Sequence, residues 1–417
     1  MDKRIVLVSS VQPTANPRLV KEAVLLRASG YAVTVVYCPM SPWADKFDTE
    51  LFAKHPGIKW VRAGYHPIKQ KGLYQWARLR RKLYHLIFFV AGNRFDAAVR
   101  SFAFYSQELT HATVSQKADL YIGHNLGALP SVVKAAHANA AKAAFDFEDF
   151  HRGEGLTNSM HWKKVKATED KYIPSLIHAT TASPLITETY RKIYTTIHFS
   201  TINNCFPRSY GKEQVPDLPV KPLKLFWFSQ FVGPNRGLET VIAAIGRTNN
   251  PYIILSLLGN CNEERKQYLL RHAKESGLAI EQIQFLTAVR EDEIVKIAAQ
   301  HHIGLAAEVP HILNREICLT NKLFMYLLAG NAVIFSNTQA QSSLLATYPE
   351  IGSIYEQGDI DGLASVLENY VSDEALLQKQ RLASLQLGKE KLNWDIESKF
   401  LIQHVRNCLA DNTSQPS

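Results

Sequence analysis

Arg4-Ile-Val-Leu-Val-Ser9, then Ser10-Val-Gln-Pro-Thr-Ala-Asn-Pro-Arg18, then Leu19 to Ser29, Gly30, and Ala32 to Tyr37: read in order, this opening stretch decides the fold class. The first run is short, continuous and apolar, as a parallel strand covered on both faces must be. The second is polar and carries two prolines, so it reads as a loop. From Leu19 the spacing turns helical, with Leu19, Ala23, Leu26 and Arg27 marking the faces, and Gly30 stands where a helix ends on a left-handed residue. Ala32 to Tyr37 is a second strand. Strand, loop, helix, strand is the opening unit of a doubly wound α/β sheet.

The pattern recurs. Asp119 to Gly123, Ala143 to Asp146 and Ile177 to Ala182 read as strands, with helices over Ala128 to Asn139 and Leu185 to Lys192. Around Phe206 to Leu223 the composition changes, with Pro207, Pro216, Pro219 and Pro222 and few apolar residues. A second series follows. Strands are expected at Leu223 to Ser229, Tyr252 to Leu258, Gln282 to Leu286, Ile303 to Ala306 and Ala332 to Ser336, with helices at Gly237 to Arg247 and Glu264 to Ser276. The expectation is an N-terminal Rossmann-like domain over 1–205, a linker over 206–222 and a second Rossmann-like domain over 223–399. A helix near 400–417 packs back on the first domain, and 411–417 forms a polar tail. The ligand would lie between the domains, outside the carboxyl ends of the strands.

Bulk properties agree. The chain has 417 residues. At roughly 100–200 residues per domain, two domains are natural. Hydrophobic residues make up 46% and charged residues 20% of the chain. That globular balance excludes disordered and fibrous classes. The five cysteines are scattered, odd in number and form no CxxC. This argues against a disulfide framework or zinc site and for a reducing cytoplasm. The first residues lack the apolar core of a secretion signal, and no apolar run approaches the ~20 residues of a spanning helix.

Three segments of the second half carry a resemblance. Phe226-Trp-Phe-Ser-Gln-Phe-Val-Gly-Pro-Asn-Arg-Gly-Leu-Glu239 is a strand, a loop and a helix start. Thr320-Asn-Lys-Leu-Phe-Met-Tyr-Leu-Leu-Ala-Gly330 runs into Asn331-Ala-Val-Ile-Phe-Ser336, and Gly352 to Asp359 closes the series. In order and spacing these resemble the family 4 glycosyltransferases, retaining enzymes of GT-B fold with two Rossmann-like domains facing each other across a cleft. Asn16 to Ala23 and Ile122-Gly-His-Asn125 look similar to the family's first domain. The resemblance implies a hexosyltransferase that moves a sugar from a nucleotide-diphosphate sugar to a glycan or lipid-linked acceptor in cell-surface polysaccharide synthesis. It implies no metal and no cofactor, and the carboxylates show no ligand-like spacing with histidines. The donor's own phosphate would take the acceptor proton, so no separate general base is needed.

The resemblance also assigns candidate residues. A leaving diphosphate gains negative charge, and cations and oriented N–H groups lower that barrier. Arg236, before Gly237 at a helix start, and Lys322, at another helix start, are the expected cations. Glu316 and His124 are expected at the transferred sugar, His124 near its 6-hydroxyl. Gln230, Gly237, Gly259, Glu308 and Asn321 would line the donor. Asn16, Arg18, Asn125, Glu148 and Asp149 would lie on the acceptor side; the two carboxylates either orient hydroxyls or pair with Arg152. Glu308 and Glu316 spell the family's E-x7-E, yet registration on Ala329-Gly330 places Ile317 and Met325 at those positions. Met325 cannot accept hydrogen bonds from a ribose as a carboxylate does. Gln230 stands where the family has a phosphate-binding arginine. Two other readings therefore stand: a GT-B-shaped binding or scaffold protein without transfer, and a nucleotide-sugar epimerase.

The formal charge is +9, and much of it gathers in Lys69 to Arg94. There Arg78, Arg80, Arg81 and Lys82 interleave with Tyr74, Trp76, Leu79, Leu83 and Tyr84. That composition suits an interfacial helix on the anionic inner face of a membrane, and it also suits a helix packing on its own domain with a solvated basic side. No nucleic-acid module is recognised, so nucleic acid is not an expected partner.

Overall fold

The computed structural model describes residues 3–40 and 42–410. Close packing divides the chain into two units, Met1–Ile202 with Ser398–Ser417, and Asn203–Glu397.

In the first unit, runs rich in Val, Ile, Ala and Phe form seven parallel strands: β1 (Arg4–Ser9), β2 (Ala32–Tyr37), β3 (Lys59–Arg62), β4 (Leu120–His124), β5 (Lys142–Phe147), β6 (His178–Thr181) and β7 (Phe199–Thr201). Their order across the sheet is β3-β2-β1-β4-β5-β6-β7. Helices cover the sheet, so strands such as β1 bury nearly every residue on both faces. Ile5, Leu7, Val35, Leu120 and Ile122 meet Leu19, Ala23 and Leu26 of the Pro17–Ala28 helix in one cluster. Val405 and Cys408 of the last helix, Trp394–Leu409, join that same cluster. Residues 411–417, read as a tail, lie outside the described residues.

The second unit repeats the plan with β8 (Leu223–Phe231), β9 (Ile253–Asn260), β10 (Ile283–Leu286), β11 (Ile303–Ala306), β12 (Ala332–Ser336) and β13 (Gly352–Tyr355). All are parallel, in the order β10-β9-β8-β11-β12-β13. Trp227, Leu255, Leu257, Leu305 and Ile334 anchor its core against Leu238, Val241 and Ile245 of the Leu238–Thr248 helix. The Asn321–Ala329 helix is buried from Lys322 to Ala329. The proline-rich segment 206–222 packs against this unit. The Lys212 N–H donates to the Leu328 carbonyl (3.1 Å), and Arg381 Nη2 donates to the Pro216 carbonyl (2.8 Å).

Both sheets reverse direction once. In the first, chain connections run outward both ways from β1 and β4; in the second, from β8 and β11. Such a reversal leaves a crevice at the carboxyl ends of the two central strands, where doubly wound folds bind ligands. Ser9 and His124 are paired neighbours at the first crevice. Gln230 and Phe231 end β8 and Glu308 follows β11 at the second. The sequence reading places most of these strands within a residue or two. It passes over β3, β7 and β13, which are short edge strands with weak apolar character.

Candidate functional site

In the first unit, four formal charges are buried beneath the carboxyl ends of β4 and β5. Arg18 Nε donates to Asp146 Oδ2 (2.6 Å) and Nη2 to Oδ1 (2.8 Å), while Nη1 donates to the Ile202 carbonyl (2.8 Å). Thr180 Oγ1 donates to Asp146 Oδ1 (2.5 Å). His124 lies between two carboxylates, its Nε2 2.9 Å from Glu22 Oε2 and its Nδ1 3.5 Å from Asp146 Oδ2. It is 1% exposed. Burial works against charging this ring, but Glu22 and Asp146 outweigh it and push the pKa up to about 9. At neutral pH His124 is therefore an imidazolium. Burial likewise opposes ionisation of Asp146, but Arg18 and His124 hold it well below the usual carboxylate range. Two cations and two anions balance. Arg18, expected on the acceptor side, uses all three of its nitrogens inside the unit.

What this cluster supports lies next to it. Asn125 follows His124 with φ 62° and ψ 135°. Few side-chain-bearing residues tolerate a left-handed φ of this kind. Its Oδ1 accepts from Ser9 Oγ (2.9 Å) and Asn16 Nδ2 (3.2 Å). Asn16 Oδ1 in turn accepts from the Leu19 N–H (3.1 Å), capping the Pro17–Ala28 helix. Backbone strain at a strand end is a recurrent mark of functional sites. Glu148 and Asp149 stand half-buried after β5. Burial, joined by the charges of Asp149 and Asp146, raises the Glu148 pKa against the pull of Arg18 and His124. Arg152 does not pair with this acidic pair. It is turned toward Glu169 and Asp170 of the Met160–Tyr172 helix and toward the Tyr194 hydroxyl.

In the second unit the site gathers around Glu308, which is 3% exposed. Lys322 Nζ donates to its Oε1 (2.9 Å), and Arg315 Nη1 lies 3.6 Å from Oε2. The Lys322 ammonium also sits 5.4 Å from the centre of the Trp227 ring. That is within cation–π reach. Burial would raise the Glu308 pKa, but Lys322, Arg315 and Arg236 outweigh it and keep the group ionised. Arg236 is half-exposed and, among the described residues, forms no ion pair. It precedes the Leu238–Thr248 helix, whose first turn has no side-chain cap. The positive end of that helix and a free guanidinium thus share one place, as an anion-binding helix start requires. Gly237 permits the turn: its φ is 72°, and a Cβ there would stand 3.2 Å from Ala307. Gly259 lets β9 approach β8 so closely that a Cβ would meet the Ser229 carbonyl at 2.2 Å.

The other expected donor residues fall differently. Gln230 and Asn321 are exposed, at the end of β8 and at the start of the Asn321–Ala329 helix. Glu316 Oε2 accepts from the Gln339 N–H (3.2 Å), the first of the Gln339–Thr347 helix, which Thr338 caps. Met325 is fully buried, a core residue. Sequence reasoning missed Glu22, Thr180, Arg265 and Arg315. Arg265 braces the loop before Arg236 through Glu239 (2.8 Å) and the Gly233 carbonyl (3.1 Å). Arg18 and Glu22, four apart on one helix face, gave the only local signal.

Two such units, each with its crevice at the first and fourth strands, make up the GT-B architecture. Several solved structures share it with this chain. HepE of Anabaena in complex with UDP matches with a TM-score of 0.68 at 12% identity, over 97% of this chain and 100% of that one. A glycosyltransferase from Rickettsia africae matches with 0.68 at 12%, over 99% and 100%. Sucrose-phosphate synthase from Thermosynechococcus elongatus matches with 0.67 at 13%, over 97% and 98%. No protein-family model and no curated protein sequence matches the chain. The likeness is one of fold.

Proposed function

We propose that this chain is a glycosyltransferase that takes a sugar from a nucleotide-diphosphate donor held by the second unit. One observation carries the reading. At the second crevice a free Arg236 meets an uncapped helix start, beside a buried Glu308–Lys322 pair. A diphosphate that gains charge as it leaves needs cations and N–H dipoles fixed in advance. Arg236 and the first N–H groups of the Leu238–Thr248 helix would take the phosphates. Lys322, oriented by Glu308, would add positive charge from the start of a second helix. Exposed Gln230 and Asn321 would contact the donor. That HepE was solved with UDP and with UDP-glucose supports a uridine nucleotide sugar as the first donor to try.

In the first unit, the strained Asn125 and the half-buried Glu148 and Asp149 would orient the acceptor hydroxyls. His124 would act through position and charge, since its ring is enclosed by Glu22 and Asp146. We read the transfer as retaining, with the donor phosphate taking the acceptor proton, and the acceptor as a glycan or lipid-linked molecule. The setting would be cell-surface polysaccharide synthesis at the cytoplasmic face of a membrane.

The test is release of the nucleoside diphosphate from a panel of nucleotide sugars, with wild type and Arg236→Ala compared. Release that falls at least about a hundredfold in the variant is the expected outcome, since removing one transition-state donor costs roughly 10²–10³ in rate. Binding without turnover of any donor would sink the transferase reading. It would favour a binding protein, the reading that buried Met325 and the neutral Gln230 support.

A further inference from the structure

The Lys71–Ala91 helix has two apolar faces, and only one of them meets the protein. The inward face is built from Tyr74, whose ring lies tilted against that of Phe104 with centroids 5.3 Å apart, buried Ala77, and Tyr84, whose hydroxyl accepts from Arg100 (2.5 Å). Arg80, counted among the surface cations in the sequence, also turns inward and pairs with Glu108 (2.6 Å). The outward face holds Leu73, Trp76, Leu79, Leu83, Leu86 and Val90, each between 48% and 75% exposed. At 3.6 residues per turn, Trp76, Leu79, Leu83, Leu86 and Val90 fall within an arc of about 80°. A continuous row of this kind is rare on the surface of a soluble monomer and marks a docking face.

Its charge says what docks. The helix contains no Asp or Glu, while Lys71, Arg78, Arg81 and Lys82 are exposed, with Lys69 just before it. Lys71, Arg78 and Lys82 lie along one flank of the apolar row. A protein partner for an apolar row commonly matches it with a mixed rim; an apolar sheet of uniform negative rim is a lipid leaflet. No helix among the described residues is long and apolar enough to cross a membrane. A row that is apolar on one arc and cationic beside it lies in the plane of an interface.

We propose that the outward face of the Lys71–Ala91 helix seats the protein on an anionic bilayer. Trp76, Leu79, Leu83, Leu86 and Val90 enter the boundary between headgroups and acyl chains, and Lys71, Arg78 and Lys82 meet the headgroup phosphates. This gives the membrane setting suggested above a physical basis, and it stands even if sugar transfer proves absent.

Flotation of the full chain with vesicles tests it. Wild type floats with vesicles of phosphatidylcholine and phosphatidylglycerol and much less with phosphatidylcholine alone. Trp76 emission shifts to shorter wavelength on binding, read as the difference between wild type and Trp76→Phe. Replacing Leu79, Leu83 and Leu86 with Gln lowers the bound fraction at least about tenfold. Replacing Lys71, Arg78 and Lys82 with Gln lowers it similarly and removes its salt dependence. Neither set touches the core, so thermal stability and nucleotide binding stay at wild-type values, which separates loss of docking from loss of fold or of the donor site. Unchanged flotation of the Leu variant overturns the proposal. So does a dimer in light scattering that the Leu variant dissolves while wild type ignores vesicles, because the face then belongs to a second copy.

Discussion

Arg236 and Lys322 carry the same charge at comparable places, the starts of two helices in the second unit, yet their surroundings give them different work. Arg236 is half-exposed and unpaired among the described residues, so its donors are available to a ligand. Replacing it with Ala removes charge-assisted hydrogen bonds worth about 1.5–3 kcal/mol, which is roughly a ten- to hundredfold loss in affinity for UDP. Folding stability moves by no more than about 0.5 kcal/mol. Titration calorimetry and urea unfolding on one variant check both, and unchanged UDP affinity would remove Arg236 from the site. Lys322 is buried and holds Glu308. Lys322→Met leaves that carboxylate with the ion pair to Arg315, at 3.6 Å, and the more distant charge of Arg236. The change costs about 3–5 kcal/mol of stability in urea. A loss below about 1 kcal/mol would mean the pair is not a buried charge pair in solution. Arg236 was legible in the sequence because an Arg-Gly pair between a strand and a helix has a local meaning. The tie between Lys322 and Glu308 was not, since the two lie on different elements and no periodicity joins them.

At the scale of elements, histidines join strands and helices and set opposite responses to pH. His124 on β4 is held by Glu22 of the Pro17–Ala28 helix and Asp146 of β5, with its pKa pushed up to about 9. A raised folded pKa gives stability that is complete below the unfolded value near 6.5 and is lost as pH rises through about 9. The term is on the order of 3 kcal/mol and is absent from His124→Gln. His178 on β6 stacks on His404 of the last helix at 4.5 Å, and burial, with His404 and His198 adding, lowers its pKa to about 3. This ring must stay neutral to remain folded, so stability falls as pH drops from about 6.5 toward 3. His178→Phe keeps a ring against His404 and lessens the slope of that acid limb, to which His301 and His302, lowered by burial to about 4, also contribute. Unfolding free energies measured across both limbs decide the matter; a wild-type alkaline limb matching that of His124→Gln would show that His124 is not charged in the fold. The elements themselves were readable from apolar runs and glycine stops. Their cross-links were not: Arg18 and Asp146 stand far apart in sequence and meet only because the sheet order brings β5 beside β4.

At the scale of the whole molecule, two β/α series were visible in the sequence, and so was the composition change between them. The last helix, expected from the sequence to pack back on the first domain, brings Val405 and Cys408 to that unit's core. The plan gives each unit its own core and its own crevice, so a nucleotide should be felt through one of them. A ligand that binds only the folded state adds RT ln(1 + [L]/Kd), about 2.7 kcal/mol at a hundredfold excess over Kd. For a unit of this size that raises the melting temperature by roughly 5–10 °C. We expect UDP to produce such a rise in wild type and only about a sixth to a half of it in Arg236→Ala at the same concentration, since a ten- to hundredfold weaker Kd leaves about 0.4–1.4 kcal/mol. Asp146→Asn supplies the contrast. It leaves Arg18 and His124 buried without their shared carboxylate, so the starting melting temperature falls, but the increment from UDP persists because the second unit's site is untouched. If Asp146→Asn abolishes the increment while Arg236→Ala retains it in full, the nucleotide belongs to the first crevice. The donor site assigned to Arg236, Glu308 and Lys322 would then be wrong, whatever the enzyme transfers.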